Sequence, residues 1–268
     1  PCGRCLPCRQ NAARLKKLRI LLENSTHKES LWTTLTVADS YILSAKSDYN
    51  LHPKMMKNFH QRLRRRLDGK NYRYYLVGEY GRTSTRRPHY HLCLFGLGQT
   101  DIPAIDDAWT KKGQAIGNTD HGEVNPSSAG YIADYAARKL TKKGDPRLQG
   151  RTPEFNRMST RGGGLGSQAI INFGQYLAQQ PYFKPRVINE ITINGKGYPL
   201  GRYLTRLLGK QLGLTESDYE EHFHRYSDEV IQKHSSAPWY YQSILDEKEQ
   251  DRKMQLYKHK MKERRYTL

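Results

Sequence analysis

Two runs of the chain, "YRYYLVGEY" (72–80) and "HYHLCLFG" (89–96), carry the aromatic, β-branched and aliphatic residues of strands, with only the eight residues "GRTSTRRP" between them. So short a connection implies antiparallel neighbours, a hairpin with a basic loop. Leu92, Leu94 and Phe95 are what a core strand wants, yet the same strand opens on His89 and His91. Side chains at i and i+2 share a face of a strand, so the two imidazoles stand side by side with Tyr90 behind them. Glu79 ends the partner strand and falls within one or two residues of His89, and facing Cβ atoms on paired strands lie roughly 4.5–5.5 Å apart. Two imidazoles and a carboxylate on one spot make a divalent-metal site with open positions, suited to Mn²⁺, Mg²⁺ or Zn²⁺. The alternative is a pair of half-buried histidines hydrogen-bonded to backbone.

Around this hairpin the pattern alternates. "RQNAARLKKLRILLEN" has helical spacing at Ala12, Leu15, Leu18 and Leu22, and "SLWTTLTVAD" reads as a strand. "HPKMMKNFHQRLRRRLDG" reads as a helix with Pro53 in its first turn, a core stripe of Met56, Phe59, Leu63 and Leu67, and Gly69 at its end. "IPAIDDAWTKKG" reads as a short helix, "GEVNPSSAG" as a loop and "YIADYAARKLTKKG" as a helix ended by Gly144. The order from 30 to 145 predicts an α+β fold, a small antiparallel sheet with helices packed on one face. We expect a Cys-containing N-terminal segment over 1–27, a core over 28–148 and a mixed, helical extension over 149–268 that ends in a charged tail. Within the extension, "STRGGGLGSQAI" is a glycine-rich loop leading into a helix. It is followed by "PRVINEITINGKGYPLGRYLTRLLG", a short hairpin and a helix.

The charge narrows the partners. Lys and Arg number 45 against 26 acidic residues, a net charge of +19, and the pI is about 9.8. Such a surface attracts polyanions, nucleic acid first among them, and the 19 tyrosines offer faces for unpaired bases. No apolar run approaches the roughly 18–20 residues of a membrane helix, and "PCGRCLPCRQ" lacks the apolar core of a signal peptide. We expect a soluble intracellular protein with no membrane partner. The chain opens on Pro1 rather than Met, which points to residues missing upstream. Cys2, Cys5 and Cys8 would hold a structural Zn²⁺ if a fourth ligand came from elsewhere. The redox alternative stays open.

A nucleophile is offered by "YIADYAARK". Tyr131 and Tyr135 lie one helical turn apart on one face, and Lys139 continues the row. A phenol with a pKa near 10 attacks phosphorus only when it is oriented and deprotonated and the phosphate is polarised by a cation. Tyrosines at this spacing are otherwise core residues.

Taken in order, "WTTLTV", "GEY…RPHYHLCLFG" and "YIADYAARKLTKK" resemble the three motifs of HUH endonucleases. Among these they resemble the rolling-circle replication initiators of gokushovirus-like microviruses, which are small single-stranded DNA bacteriophages. "PCGRCLPCR", "RMSTRGGGLG" and "KGYPLGRYL" are similar to segments of the same proteins, so the resemblance covers nearly the whole chain. It implies an RRM-like palm and metal-dependent, site-specific nicking and joining of single-stranded DNA at a viral origin. His89 and His91 would be metal ligands with Glu79 as the third, and Mg²⁺ or Mn²⁺ the ion. Tyr131 and Tyr135 would be the paired nucleophiles, acting through a 5′-phosphotyrosine. Partners would be origin DNA and the host helicase and replication machinery, in the cytoplasm of a bacterial host. Two departures stand out. Asp134 occupies the place of a lysine before the second tyrosine, so that Lys139, or Arg138 beside it, would take over the positive role. Val37 ends the first motif where an aromatic is usual. A histidine-triad hydrolase is disfavoured by Cys93 in the third alternating place. A relaxase or transposase of the same group would more often carry its tyrosine ahead of the histidines. A non-catalytic, basic nucleic-acid-binding protein would leave the trio and the tyrosine row as coincidence.

Overall fold

The computed structural model describes residues 6–44, 49–81, 87–138, 144–236 and 249. In chain order they form α1 (Leu6–Asn24), β1 (Ser30–Thr36), α2 (Asp39–Ser44), α3 (Pro53–Arg66), β2 (Arg73–Tyr80) and β3 (Pro88–Phe95). Next come α4 (Ile102–Ala108), β4 (Thr110–Lys111), β5 (Gln114–Ala115), β6 (Thr119–Glu123), α5 (Pro126–Arg138) and β7 (Phe155–Met158). The remainder are α6 (Ser167–Ala178), β8 (Glu190–Ile193), β9 (Lys196–Pro199), α7 (Gly201–Gln211) and α8 (Glu216–Ser236). Two compact bodies result, Arg9–Ala169 and the residues from Ile170 onward. The α+β class expected from the pattern is the class observed.

The first body is built on a five-stranded sheet of order β6-β1-β3-β2-β7, every neighbouring pair antiparallel. Helices cover both of its faces, not one as the element order suggested. Leu31 and Leu35 of β1, Leu76 of β2 and Tyr90, Leu92 and Leu94 of β3 face a core completed by Met56, Phe59 and Leu63 of α3 and Ile105 and Ala108 of α4. The alternate residues Tyr75, Val77, Cys93 and Phe95 face a second core with Ile20 of α1 and Ala129, Ile132 and Ala133 of α5. The period of two along each strand thus feeds two cores. The whole predicted stripe of α3, through Leu67, is buried.

Two further differences lie beside the site. "GEVNPSSAG" is not a loop throughout: Gly122 and Glu123 end β6, and α5 already begins at Pro126. Asn125 accepts the amide hydrogens of Ser127 and Ser128 at 2.9 Å on Oδ1, an N-cap followed by proline at the first helical position.

His60, on the α3 side, is buried and stacked on Tyr74 at 4.0 Å; its Nδ1 is 2.9 Å from the Tyr72 hydroxyl, and its Nε2 has no partner among the described residues. Burial, reinforced by the nearby Arg64 charge, pushes its pKa down to about 3. The unfolded chain therefore binds a proton that the fold refuses, and stability falls as pH drops from about 6.5 towards 3. At pH 4.5 the loss is about 2.7 kcal/mol. Urea unfolding at pH 7.5 and 4.5 should show wild type losing about that much more than His60→Phe; equal losses would remove His60 as the cause.

Candidate functional site

The register sets Glu79 directly opposite His89, and Thr34 opposite His91 on the other side of β3. All four side chains share the face covered by α1 and α5, at the end of the sheet towards the hairpin loop. His91 Nε2 lies 3.1 Å from Glu79 Oε1, and His91 Nδ1 lies 3.0 Å from Thr34 Oγ1. A hydroxyl both donates and accepts, so Thr34 can support either tautomer of this ring. His89 Nδ1 donates to the Arg87 carbonyl at 2.8 Å. A carbonyl only accepts, which leaves His89 Nε2 with its lone pair. Burial, more than any other influence, holds the His89 imidazole below its ordinary pKa and favours the neutral ring. Gly81 makes room for it: a Cβ there would stand 2.8 Å from His89 Cε1.

The structure therefore brings Glu79 and His91 into contact and places His89 across from Glu79. Among the described residues, no three His, Cys, Asp or Glu side chains stand close enough together to hold an ion. The two short contacts still suit one. Two donors on a cation at about 2.1 Å are separated by about 3.0–3.4 Å, so the distance between Glu79 Oε1 and His91 Nε2 is that of neighbouring ligands. The hydrogen bond on His89 Nδ1 is of the kind that orients a metal-binding imidazole.

Tyr131 rises from α5 over this face. Its ring stands edge-on to His91, with an interplanar angle of 86° and centroids 6.2 Å apart, and it is 58% exposed. Ala129, Ile132 and Ala133 anchor the helix in the core, and that anchoring sets the height of Tyr131 above the strand. The backbone of Tyr135 lies one turn further along α5. The Tyr135 side chain, Lys139, Cys2 and Cys5 lie outside the described residues, and Cys8 is a half-buried free thiol. A cleft of about 300 Å³ opens beside Tyr131 and His91, lined also by Trp32, Thr34, Asn125 and Ser127. Sequence reasoning missed Thr34 and Gly81. The only signals were a hydroxyl in the strand facing His91 and a glycine just after Tyr80.

A polar cluster beneath an edge-on tyrosine, open to solvent at one end of an antiparallel sheet, defines an α+β protein that presents reactive side chains to a ligand in a cleft. Residues 30–143 match the family of replication-associated proteins typified by ORF2, and the chain belongs to that family. Replication-associated protein VP4 of Bdellovibrio phage phiMH2K is 32% identical over 163 residues, covering 54% of this chain and 50% of the relative. Replication-associated protein ORF2 of Spiroplasma virus 4 is 33% identical over 174 residues, 59% of this chain and 54% of the relative. The chain spans about half the length of these curated relatives. No solved structure matches. The resemblance to phage replication proteins is borne out at the level of the family. Among the described residues no helix is long and apolar enough to cross a membrane.

Proposed function

We propose that the chain initiates rolling-circle replication by nicking and rejoining single-stranded DNA at a viral origin, inside the host cell. The observation that carries this reading is the edge-on placement of Tyr131 over His91, itself 3.1 Å from Glu79. Glu79, His89 and His91 would hold a divalent ion, Mg²⁺ or Mn²⁺, which when bound draws charge from the scissile phosphate. The Tyr131 phenolate oxygen attacks phosphorus, and the P–O3′ bond breaks. The 3′-oxygen takes a proton and leaves as a primer hydroxyl, and the 5′-phosphate stays on the tyrosine. After one round Tyr135 attacks the regenerated origin junction in the same way. The newly freed 3′-hydroxyl then attacks the first phosphotyrosine, closes a circle and restores Tyr131. Each step exchanges one phosphoester for another, so joining needs no ATP. The net charge of +19 draws the strand in, and affinity should fall steeply as salt rises.

The test is a denaturing gel of labelled single-stranded origin DNA incubated with the protein and Mn²⁺ or Mg²⁺, with and without EDTA. A covalent protein–DNA band that EDTA abolishes is the expected result. Cleavage without an adduct would replace tyrosine attack with hydrolysis by water, and binding without cleavage would favour a non-catalytic DNA-binding protein.

A further inference from the structure

The second body holds a cleft that the nicking chemistry does not use. α7 and α8 are joined only by residues 212–215, so they return on one another as a helical hairpin. Gly209 lets them close: a Cβ there would collide with the Tyr219 hydroxyl, which donates to the Thr205 carbonyl at 3.4 Å. Arg202 and Arg206, four apart, share one side of α7, while Tyr219 and Phe223, four apart, share one side of α8. These two rows line a cleft of about 600 Å³ with Glu190 at its edge.

The two arginines differ in what they have left to offer. Arg206 is ion-paired with Glu216, and its guanidinium lies 4.2 Å from the centroid of the Tyr219 ring. Arg202 is exposed and has no partner among the described residues. Across from it Phe223 keeps 58% of its surface in water. A bare phenyl ring beside an unpaired guanidinium, in a cleft of this size, suits a flat heteroaromatic ring that carries an anion. A duplex hides the faces of its bases, whereas an unpaired strand offers them. The surrounding charge agrees: Lys184, Arg186, Lys196 and Lys210 are also exposed, and Glu190 is the only carboxylate between 181 and 212.

We propose that this cleft binds one unpaired nucleotide of single-stranded DNA, stacking its base on Phe223 and pairing its phosphate with Arg202. The proposal rests on the reading of the chain as a single-stranded DNA protein, but not on its nicking chemistry.

Fluorescence anisotropy with labelled oligo(dT), which lacks an origin, measures binding separately from cleavage. Phe223→Ala and Arg202→Gln should each weaken binding by about ten-fold, while Phe223→Tyr, which keeps a stacking face, should restore it. Circular dichroism melts of each variant control for folding, and an iodouracil oligonucleotide should photocrosslink to Phe223 or Tyr219 of the wild type. Millimolar dTMP should displace the strand only weakly. Displacement at micromolar dTMP would mean a site for free nucleotide and overturn the assignment to a strand. Unchanged oligo(dT) affinity in folded variants that still form the covalent adduct would overturn the cleft alone. Weakened binding in the variants, with no adduct from any protein, would support the cleft and defeat the nicking reading.

Discussion

Replacing Tyr131 with phenylalanine is expected to lower first-strand cleavage of origin DNA by at least about 10³-fold, since the attacking oxygen itself is removed. Strand binding should be nearly unchanged, because the ring and its edge contact with His91 remain. Tyr135→Phe should leave the first cut intact and block the second, so the covalent adduct accumulates and no circles form. The asymmetry follows from Tyr131 being the tyrosine whose ring meets His91, 3.1 Å from Glu79. Quantitative gels on each single variant and the double variant separate the two roles. If Tyr131→Phe still formed adduct at the wild-type rate while Tyr135→Phe did not, the order of the two nucleophiles would be reversed. Adduct from the double variant would exclude both.

Those two roles illustrate what was legible in the residues. The hairpin and its register were open to reading because the period of two and a short connection leave little freedom, and the structure sets Glu79 against His89. The stripe of α3 was legible for the same reason at the helical period. β6 and β7 were not. "TDHGE" and "FNRM" lack an apolar alternation, and both lie at edges of the sheet, where backbone pairing with β1 and β2 holds them more than side-chain burial does. Cover on both faces was hidden as well, since α1 lies ahead of the whole sheet in sequence and nothing local says which face it will take. At the site, the residue types could be read one by one, but their contacts could not. Spacing shows that His89 and His91 share a face. Only the folded chain shows that His91 reaches Glu79 diagonally while the His89 ring is held by the Arg87 carbonyl. Thr34 escaped notice because a threonine in a strand is already accounted for by its β-branch.

The largest loss of stability is expected from Glu23→Ala, at the other end of the sheet. Glu23 of α1 is buried, yet it is held ionised. Burial alone would raise its pKa, but hydrogen bonds from His27 Nε2 at 3.1 Å and the Gly166 amide at 2.7 Å, with the Arg73 charge, together bring it below the usual carboxylate range. Arg73 Nε lies 2.6 Å from the carboxylate, and the same guanidinium donates to the carbonyls of Arg161 at 2.7 Å and Gly163 at 2.8 Å. One carboxylate thus ties α1, the start of β2 and the glycine-rich loop together. Removing it strands a largely buried guanidinium and an amide, at a cost of about 3–5 kcal/mol near neutral pH. Because the pKa is lowered in the fold, this contribution is complete above the unfolded carboxyl pKa and disappears as pH falls through the folded value. Wild type and variant should therefore differ by that amount in urea at pH 7 and converge in strong acid. Hydrogen exchange should rise first in residues 159–166. Arg73 pairs with Phe95, six residues from the pairing of Glu79 with His89, so covalent adduct formation at a temperature where the variant is folded should stay near wild type. A difference below about 1 kcal/mol at pH 7 would reduce the cluster to a surface-like ion pair. Adduct formation lost in a folded variant would instead make the glycine-rich loop part of the DNA-handling machinery.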